Sequence, residues 1–441
     1  MEQFIRYITD MVSNPTVRKK LLYTIMILVI YRFLVFIPVP FADVGQILWW
    51  TLWSWTGTWL EYFAMLLWGT LENFAIIAVW LIPYINASIV MQLLTAVVPA
   101  LEELQEQGEQ WTQKIQQYTR WLTFPFAFLQ SIWMVYFINF LLGWTVIPTD
   151  FGTILLSAFA LSVWSILMLW LWELITEKWI SNGISILIFA SIIAGITSQV
   201  YQYISVSWSD LLWIIIFMLV IVLALIILSV LLIKTRKDIP VIYARQWQVQ
   251  ETASLPIPLN PVGMIPIIFA IAFASFPYLL SQIVINMWSQ NQSMQSVAIR
   301  IEQNFNIYVE NPWWLVIIFY FILIVLFTFF YAMITFNPDK IADTIQKRWW
   351  FIPWIRPWEE TATYLNKVLM HLCFWWGMWL AFIGNYTYLL SKIPFVQQAA
   401  QSIGTIPVIV QGAWVIIIVW VVQELINKID AELLMEKYDK I

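Results

Sequence analysis

The sequence has few charged residues for its length. Of its 441 residues only 11% are Asp, Glu, Lys or Arg, whereas 61% are hydrophobic. Soluble globular domains carry about 25% charged residues. The composition therefore excludes a soluble protein and indicates a chain that lies mostly in lipid.

Residues that carry metal or redox chemistry are almost absent. The sequence has one cysteine, Cys373, and one histidine, His371. A single thiol excludes an internal disulfide and leaves no cysteine pair to bind zinc. There is also no glycine-rich phosphate loop, no His-Glu metal spacing and no nucleophile elbow. We therefore expect no enzyme activity, no metal and no cofactor, and we interpret His371 as a packing or interface residue.

Long apolar runs recur along the whole chain instead. A helix needs about 20 apolar residues to cross a bilayer, and we predict ten such spans. They lie at 20–37, 74–98, 121–142, 151–172, 183–203, 211–233, 263–285, 312–336, 368–390 and 405–423. The apolar stretch from Leu48 to Thr70 is too broken to be a span. We expect no removable signal peptide, so the first span would start membrane insertion.

The positions of the basic residues support ten spans. With an even number of spans both termini lie on one side, and all but three of the 22 Lys and Arg residues then fall on that side. The three exceptions are Arg300 and Lys392 on the other side and Arg32 inside the first span. Cytoplasmic loops carry such an excess of Lys and Arg, so we predict that both termini are cytoplasmic. Arg32 is interpreted as an anchor that reaches the lipid headgroups.

Two segments that lie five predicted spans apart resemble each other. WLIPYINAS begins at Trp80 and GMIPIIFAI begins at Gly263, and they share Ile, Pro, Ile and Ala in register. An odd number of intervening spans implies repeats of inverted topology, as in many membrane transporters. Each proline removes a backbone hydrogen bond and favours a bend.

Longer motifs carry a resemblance to a known family. LIPYINASIVMQLLTAVVPALEEL, QQYTRWLT, ITEKWISNGISILIFA, NPVGMIPIIFA, FNPDKIADTIQK and FIPWIRPWEETATYLNKVL stand in the order and spacing of the SecY/Sec61-alpha family. The resemblance runs from about Arg18 to Tyr438 and implies the channel-forming subunit of the bacterial Sec protein translocase. The implied fold is all-α and polytopic, with ten transmembrane helices in two inverted five-helix halves, 1–206 and 207–441, that form a clamshell.

The resemblance also implies the working parts and the partners. A short plug helix corresponds to about 59–70, cytoplasmic docking loops to 234–262 and 337–367, and a lateral gate to spans two and seven. The implied partners are the SecE and SecG subunits, the SecA motor, the ribosome, signal sequences, nascent polypeptides and membrane lipid. The implied location is the bacterial cytoplasmic membrane. The alternative function is a secondary transporter of small solutes, which would need intramembrane ionisable groups, and the spans offer only Arg32.

Three groups of site residues follow from the resemblance. An apolar ring offers an ion no ligand and gates by dewetting; it consists of Leu81, Ile85, Ile184, Ile188, Ile268 and Ile409. The polar residues of the lateral gate are Gln92 and Gln130, which we consider as a hydrogen-bonded pair, and such a bond is weak enough for a signal sequence to displace. The basic docking residues, which suit phosphate or carboxylate groups, are Arg236, Lys237, Arg245 and Arg356. The alternatives are ordinary core or lipid-facing isoleucines, helix-packing glutamines and topology-setting charges.

Glycine is scarce and tryptophan is abundant. The sequence has 13 glycines and 30 tryptophans, and glycine is thus less than half as frequent as the average of about 7%. Tryptophan stands where the family pattern has glycine at Trp68, Trp80, Trp111, Trp179, Trp349, Trp350, Trp354 and Trp358. The codon UGA is read as glycine in some bacteria and as tryptophan in others, so we hypothesise that many of these residues are glycine in the natural protein. The alternative is a tryptophan-rich protein with aromatic belts at the membrane interface.

Overall fold

Helices dominate the described part of the chain. The structure, a computed structural model, describes residues 15–42, 75–98, 109–142, 150–178, 183–206, 208–243, 253–271, 296–301, 314–347 apart from 337, 350–394 apart from 357, and 412–439, with a few isolated residues between them. The helices are α1 (Pro15–Leu34), α2 (Ile82–Val97), α3 (Glu109–Leu142), α4 (Phe151–Lys178), α5 (Gly183–Val206), α6 (Trp208–Lys234), α7 (Trp314–Thr335), α8 (Pro338–Lys347), α9 (Glu359–Leu390) and α10 (Gly412–Asp439). Residues 265–271 are also helical.

Several helices have the length and composition of membrane spans. In the described residues five qualify: Phe151–Glu177, Ile216–Lys234, Trp314–Thr335, Glu359–Leu390 and Gly412–Met435. Two shorter apolar helices, Ile82–Thr95 and Gly183–Ile196, lie where spans two and five are predicted. A multi-pass membrane protein is therefore confirmed, while the count of ten spans stays a prediction. The predicted plug at about 59–70 lies outside the described residues.

The apolar surface of these helices fits lipid. On α6, the side chains of Val220, Ile227 and Leu231 are all more than half exposed. Water would penalise each exposed aliphatic side chain by about 1.5–3 kcal/mol relative to burial, whereas lipid tails are as apolar as leucine. The outer face of α6 is therefore stable against a bilayer.

The chain divides into two compact units. The first comprises Met1–Ser198 with Val421–Ile441, and the second comprises Gln199–Trp420. In the first unit α3 packs against both α2 and α4, and α1 packs against α4; in the second unit α9 packs against α7 and α8. The predicted division into halves at residue 206 stays a prediction.

A three-stranded antiparallel sheet joins the two predicted docking loops. Its strands are β1 (Arg236–Tyr243), β2 (Ala253–Pro258) and β3 (Trp350–Phe351), in the order β2-β1-β3. Ile239 pairs with Leu255, and Ile242 pairs with Phe351. These segments were predicted only as loops between spans, and the strands within them were not predicted.

The sheet has its own hydrophobic core. One buried cluster contains residues from both loops. They are Ile239 and Ile257 on the strands, Ile345 on α8, Ile352 directly after β3, and Leu365 on α9. We call β1, β2, β3, α8 and the exposed tip at residues 352–356 the sheet module. Because its core draws on both loops, the two loops fold as one body that is continuous with the start of α9.

Left-handed backbone marks four non-glycine residues in the described part. They are Phe41 (φ 67°), Trp80 (φ 47°), Trp354 (φ 67°) and Trp358 (φ 85°). Bulky residues rarely adopt positive φ, which costs about 1–2 kcal/mol per residue, whereas glycine adopts it readily. Three of the four are tryptophans at positions where the family pattern has glycine. The backbone therefore favours the glycine hypothesis at residues 80, 354 and 358.

Mass spectrometry of the protein from its native organism tests this hypothesis. We expect the tryptic peptide from Trp349 to Lys367 to have the mass of a sequence with glycine at 349, 350, 354 and 358. The physical reason is that glycine relieves the strain at 354 and 358 and removes large apolar side chains from an exposed tip. A peptide with the full tryptophan mass would reject the hypothesis and make the tip a genuine aromatic patch.

Candidate functional site

The entry to α2 is a buried turn. Residues 75–81 are at most 5% exposed, and the N–H of Trp80 donates to the carbonyl of Ile77 at 2.8 Å. The helix begins at Ile82 with Leu81 as its N-cap and a proline in its first turn. Proline suits that position because its missing N–H would be unpaired there anyway. The turn and the proline together fix where Leu81 lies.

The equivalent segment of the second unit has the same backbone feature. Gly263 has φ 70°, and its N–H donates to Oδ1 of buried Asn260 at 2.7 Å. Pro266 follows Gly263 by three residues, just as Pro83 follows Trp80. The predicted repeat thus recurs in the backbone conformation as well as in the residues.

The predicted ring residues divide between the two units. In the first unit Leu81 and Ile188 are each 1% exposed, and Ile85 and Ile184 are partly buried. Ile184 and Ile188 lie four residues apart on α5 and therefore share a face. In the second unit Ile268 is partly buried within the helical residues 265–271, and Ile409 lies outside the described residues. The meeting of these residues in one ring stays a prediction.

The two predicted gate residues lie on α2 and α3. The Nε2 of Gln92 donates to the hydroxyl of Ser88 at 3.3 Å, within the same helix. The Oε1 atoms of Gln92 and Gln130 are both buried and have no hydrogen-bond partner among the described residues. The direct Gln92–Gln130 bond that we considered is therefore not formed. Two acceptors on neighbouring helices remain available, and a buried unpaired acceptor costs about 1–3 kcal/mol.

Arg356 lies on an exposed tip that is fastened to α9. Its backbone N–H donates to Oε2 of Glu360 at 3.3 Å, and its carbonyl accepts a hydrogen bond from the Thr361 hydroxyl at 2.9 Å. Its side chain is 86% exposed, with Nη1 3.9 Å from Oε1 of Glu360. An exposed ion pair of this kind contributes about 0–1 kcal/mol. The backbone is therefore fixed, while the guanidinium is available to a partner.

The other described basic residues of the docking set lie on β1. Arg236 and Lys237 are exposed, and Nε of Arg236 lies 3.7 Å from Oδ1 of Asp238. Arg245 lies outside the described residues. Because β1 pairs with β3, which lies a few residues before Arg356, the sheet module carries Arg236, Lys237 and Arg356 together.

An ion pair lies near the end of the apolar helix α4. Glu173 lies within the membrane-spanning helix of α4, one residue beyond the predicted end of span four, and its Oε1 is 2.5 Å from Nε of Arg120 on α3. Both residues lie just outside the predicted spans 121–142 and 151–172. The guanidinium of Arg32 lies 5.4 Å from the ring centroid of Phe36, a cation–π contact that fits an anchoring role.

Comparison with known proteins is consistent across sequence and fold. A family profile described as SecY matches residues 75–426. The protein translocase subunit SecY of Staphylococcus aureus (strain NCTC 8325 / PS 47) is 31% identical over 424 residues, covering 92% of this chain and 94% of the relative. The protein of the same name from Buchnera aphidicola subsp. Acyrthosiphon pisum is 34% identical over 438 residues, covering 97% and 95%.

Solved structures show the same fold at low identity. A structure described as a protein-conducting channel aligns with a TM-score of 0.61 at 18% identity, covering 96% of this chain and 93% of the other. Sec61 in the canine ribosome–channel complex from the endoplasmic reticulum aligns with a TM-score of 0.58 at 17% identity, with the same coverage. None of these comparisons supports the alternative of a small-solute transporter.

Proposed function

The chain belongs to the SecY family, and from that membership we propose that it forms the pore of a protein translocase. Secretory polypeptides would cross the cytoplasmic membrane through this pore, and apolar segments would leave it sideways into the lipid. The observation that carries this proposal is identity above 30% over more than nine-tenths of the chain with relatives named translocase subunits. We propose SecE and SecG as its partner subunits, and SecA and the ribosome as the partners that supply polypeptide and energy.

Reconstitution tests the function directly. Proteoliposomes that contain this chain with SecE and SecG are expected to import a signal-bearing precursor when SecA and ATP are added. The same vesicles should not concentrate small solutes, because coupled transport needs intramembrane ionisable groups and the predicted spans offer only Arg32. Absence of import, together with solute accumulation, would contradict the proposal.

The seal of the pore is proposed to be aliphatic. The side chains of the ring offer an ion neither charge nor carbonyl, so water and ions are excluded by dewetting. The ring residues are Leu81, Ile85, Ile184, Ile188, Ile268 and Ile409. The same branched side chains can be displaced by an extended polypeptide without breaking any hydrogen bond. An apolar ring therefore combines low ion leak with tolerance of many translocating sequences.

The lateral gate is proposed to use the two unpaired acceptors on α2 and α3. The buried Oε1 atoms of Gln92 and Gln130 can accept hydrogen bonds from a signal sequence or from the facing helix. Such bonds within membranes contribute about 0.6 kcal/mol on average. Contacts of this strength hold a helix in place and still allow it to leave.

Docking is proposed to occur on the sheet module. Arg356, Arg236 and Lys237 present positive charge on one folded body, and guanidinium groups bind phosphate and carboxylate in a bidentate manner. Ribosomal RNA is polyanionic, and acidic groups on a motor protein present the same chemistry. The charges therefore suit either partner.

A topology test follows from the distribution of basic residues. Reporter domains fused after Lys237 or after Arg356 are expected to lie in the cytoplasm, and one fused near Asn291 is expected to lie outside, because Lys- and Arg-rich loops stay cytoplasmic. Protease protection of each fusion in spheroplasts gives the side. The reverse pattern would overturn the proposed cytoplasmic location of the sheet module.

A further inference from the structure

The carbonyl of residue 80 is held by a neighbouring helix. The hydroxyl of Ser165 on α4 donates to the carbonyl oxygen of Trp80 at 2.6 Å, and Ser165 is 2% exposed. Pro83, three residues after Trp80, has no N–H with which to close a turn onto that oxygen. The hydrogen bond therefore ties α4 to the backbone directly in front of Leu81. The acceptor is the backbone of residue 80 and not its side chain.

The second unit repeats this arrangement with a different donor. The Nε1 of Trp376 on α9 donates to the carbonyl oxygen of Gly263 at 3.1 Å, and Trp376 is fully buried. Pro266 again follows three residues later. In the predicted topology α4 carries the fourth span and α9 the ninth, so each donor lies on the fourth span of its half. The same device thus holds the start of span two and the start of span seven.

We propose that Ser165 and Trp376 are positioning residues that fix the entries of the two gate helices and thereby set the positions of the ring residues Leu81 and Ile268. The inference rests on the proposed pore ring. Each anchored carbonyl precedes its ring residue by no more than five positions, so a shift of the entry segment moves the ring residue with it. Loss of the donor removes a buried hydrogen bond between the entry segment and the neighbouring helix, which destabilises the sealed position relative to a displaced one.

The chain supplies a matched control on the same helix. Ser162 lies one turn before Ser165 on α4, is also buried, and donates its hydroxyl to the carbonyl of Ala158 in its own helix at 2.5 Å. Ser162→Ala therefore removes the same group at a similar depth without touching an interhelical bond. For Trp376 the control is Trp375, which is mostly exposed.

The experiment measures resting ion conductance in planar bilayers and import of a precursor with a defective signal sequence. Ser165→Ala is expected to raise both by about tenfold, the factor that corresponds to loss of one buried hydrogen bond. Ser165→Thr, which keeps the hydroxyl, is expected to restore the seal, and Ser162→Ala should behave as the unmodified chain. Trp376→Phe should leak in the same way, whereas Trp375→Phe should not.

Leu81→Asn, measured alongside, distinguishes a failure of the two anchors from a failure of the pore ring. Leak in Leu81→Asn without leak in Ser165→Ala or Trp376→Phe would reject the anchors and leave the ring in place. Sealed channels in all three variants would reject the ring and the anchors together. If Ser165→Ala does not accumulate as folded protein, Trp376→Phe carries the test alone, because the two anchors lie in different units.

Discussion

Replacing Arg356 by glutamate is expected to abolish translocation while the channel stays folded. The Arg356 side chain is almost fully exposed, and its ion-pair partner is the exposed Glu360, so the change empties no core and should alter the free energy of unfolding by less than about 0.5 kcal/mol. The reversed charge would sit beside Glu360 and would repel an acidic partner, and like-charge contacts at an interface cost several kcal/mol. The initial rate of precursor import, measured against SecA concentration, should fall by at least about tenfold.

Two further variants test whether the fall in import is caused by the lost contact of Arg356. Lys367→Glu reverses an exposed charge on α9 and should leave import unchanged, because the proposed contact is at the tip. Arg356→Lys keeps the charge but loses the bidentate geometry, and an intermediate rate is expected. Equal import by the unmodified chain and by Arg356→Glu at low SecA concentration would contradict the docking assignment.

Ile268→Asn should open a leak through the resting channel. Ile268 is partly buried, whereas its neighbour Ile267 is fully buried, so the change is made at an accessible position and not in the packed core. The asparagine amide binds water and ions, and dewetting of the constriction is lost. Resting conductance and import of precursors with weak signals should both rise.

The conservative change Ile268→Leu serves as the control, since it keeps an aliphatic side chain of the same size and should keep the seal. Ile409→Asn is expected to leak like Ile268→Asn, because both residues belong to the predicted ring. Unchanged conductance and unchanged signal stringency in both Asn variants would exclude these residues from the constriction.

The membrane class and the two repeated helix entries were predictable because they depend on local patterns. Apolar length identified the spans, and a shared Ile-Pro register identified two equivalent entries at Trp80 and Gly263, which the structure shows with the same left-handed backbone. The helix α4 extends to Lys178, beyond the predicted span 151–172, because charged residues such as Glu173 end an apolar run without ending the helix.

The sheet module was not predictable from local patterns. β1 and β3 pair although more than a hundred residues separate them, and β3 has only two residues. Prolines within β1 and β2 argue against strands in a local interpretation, and only the shared core of Ile239, Ile345 and Leu365 stabilises the pairing. The Gln92–Ser88 bond was missed for the opposite reason, since a partner on another helix was sought for a group that binds its own helix.

The sheet module connects the tip to the segment around Gly263 that leads into the helical residues 265–271. Arg356 is fastened to the first turn of α9, β3 pairs with β1, and β1 follows directly from the end of α6. After β2, the N–H of Leu259 donates to the carbonyl of Thr235 at 2.9 Å, and the next residue, Asn260, holds the N–H of Gly263. A load applied at the tip would therefore pass through the paired strands to α6, to α9 and to the backbone that leads into the predicted seventh span.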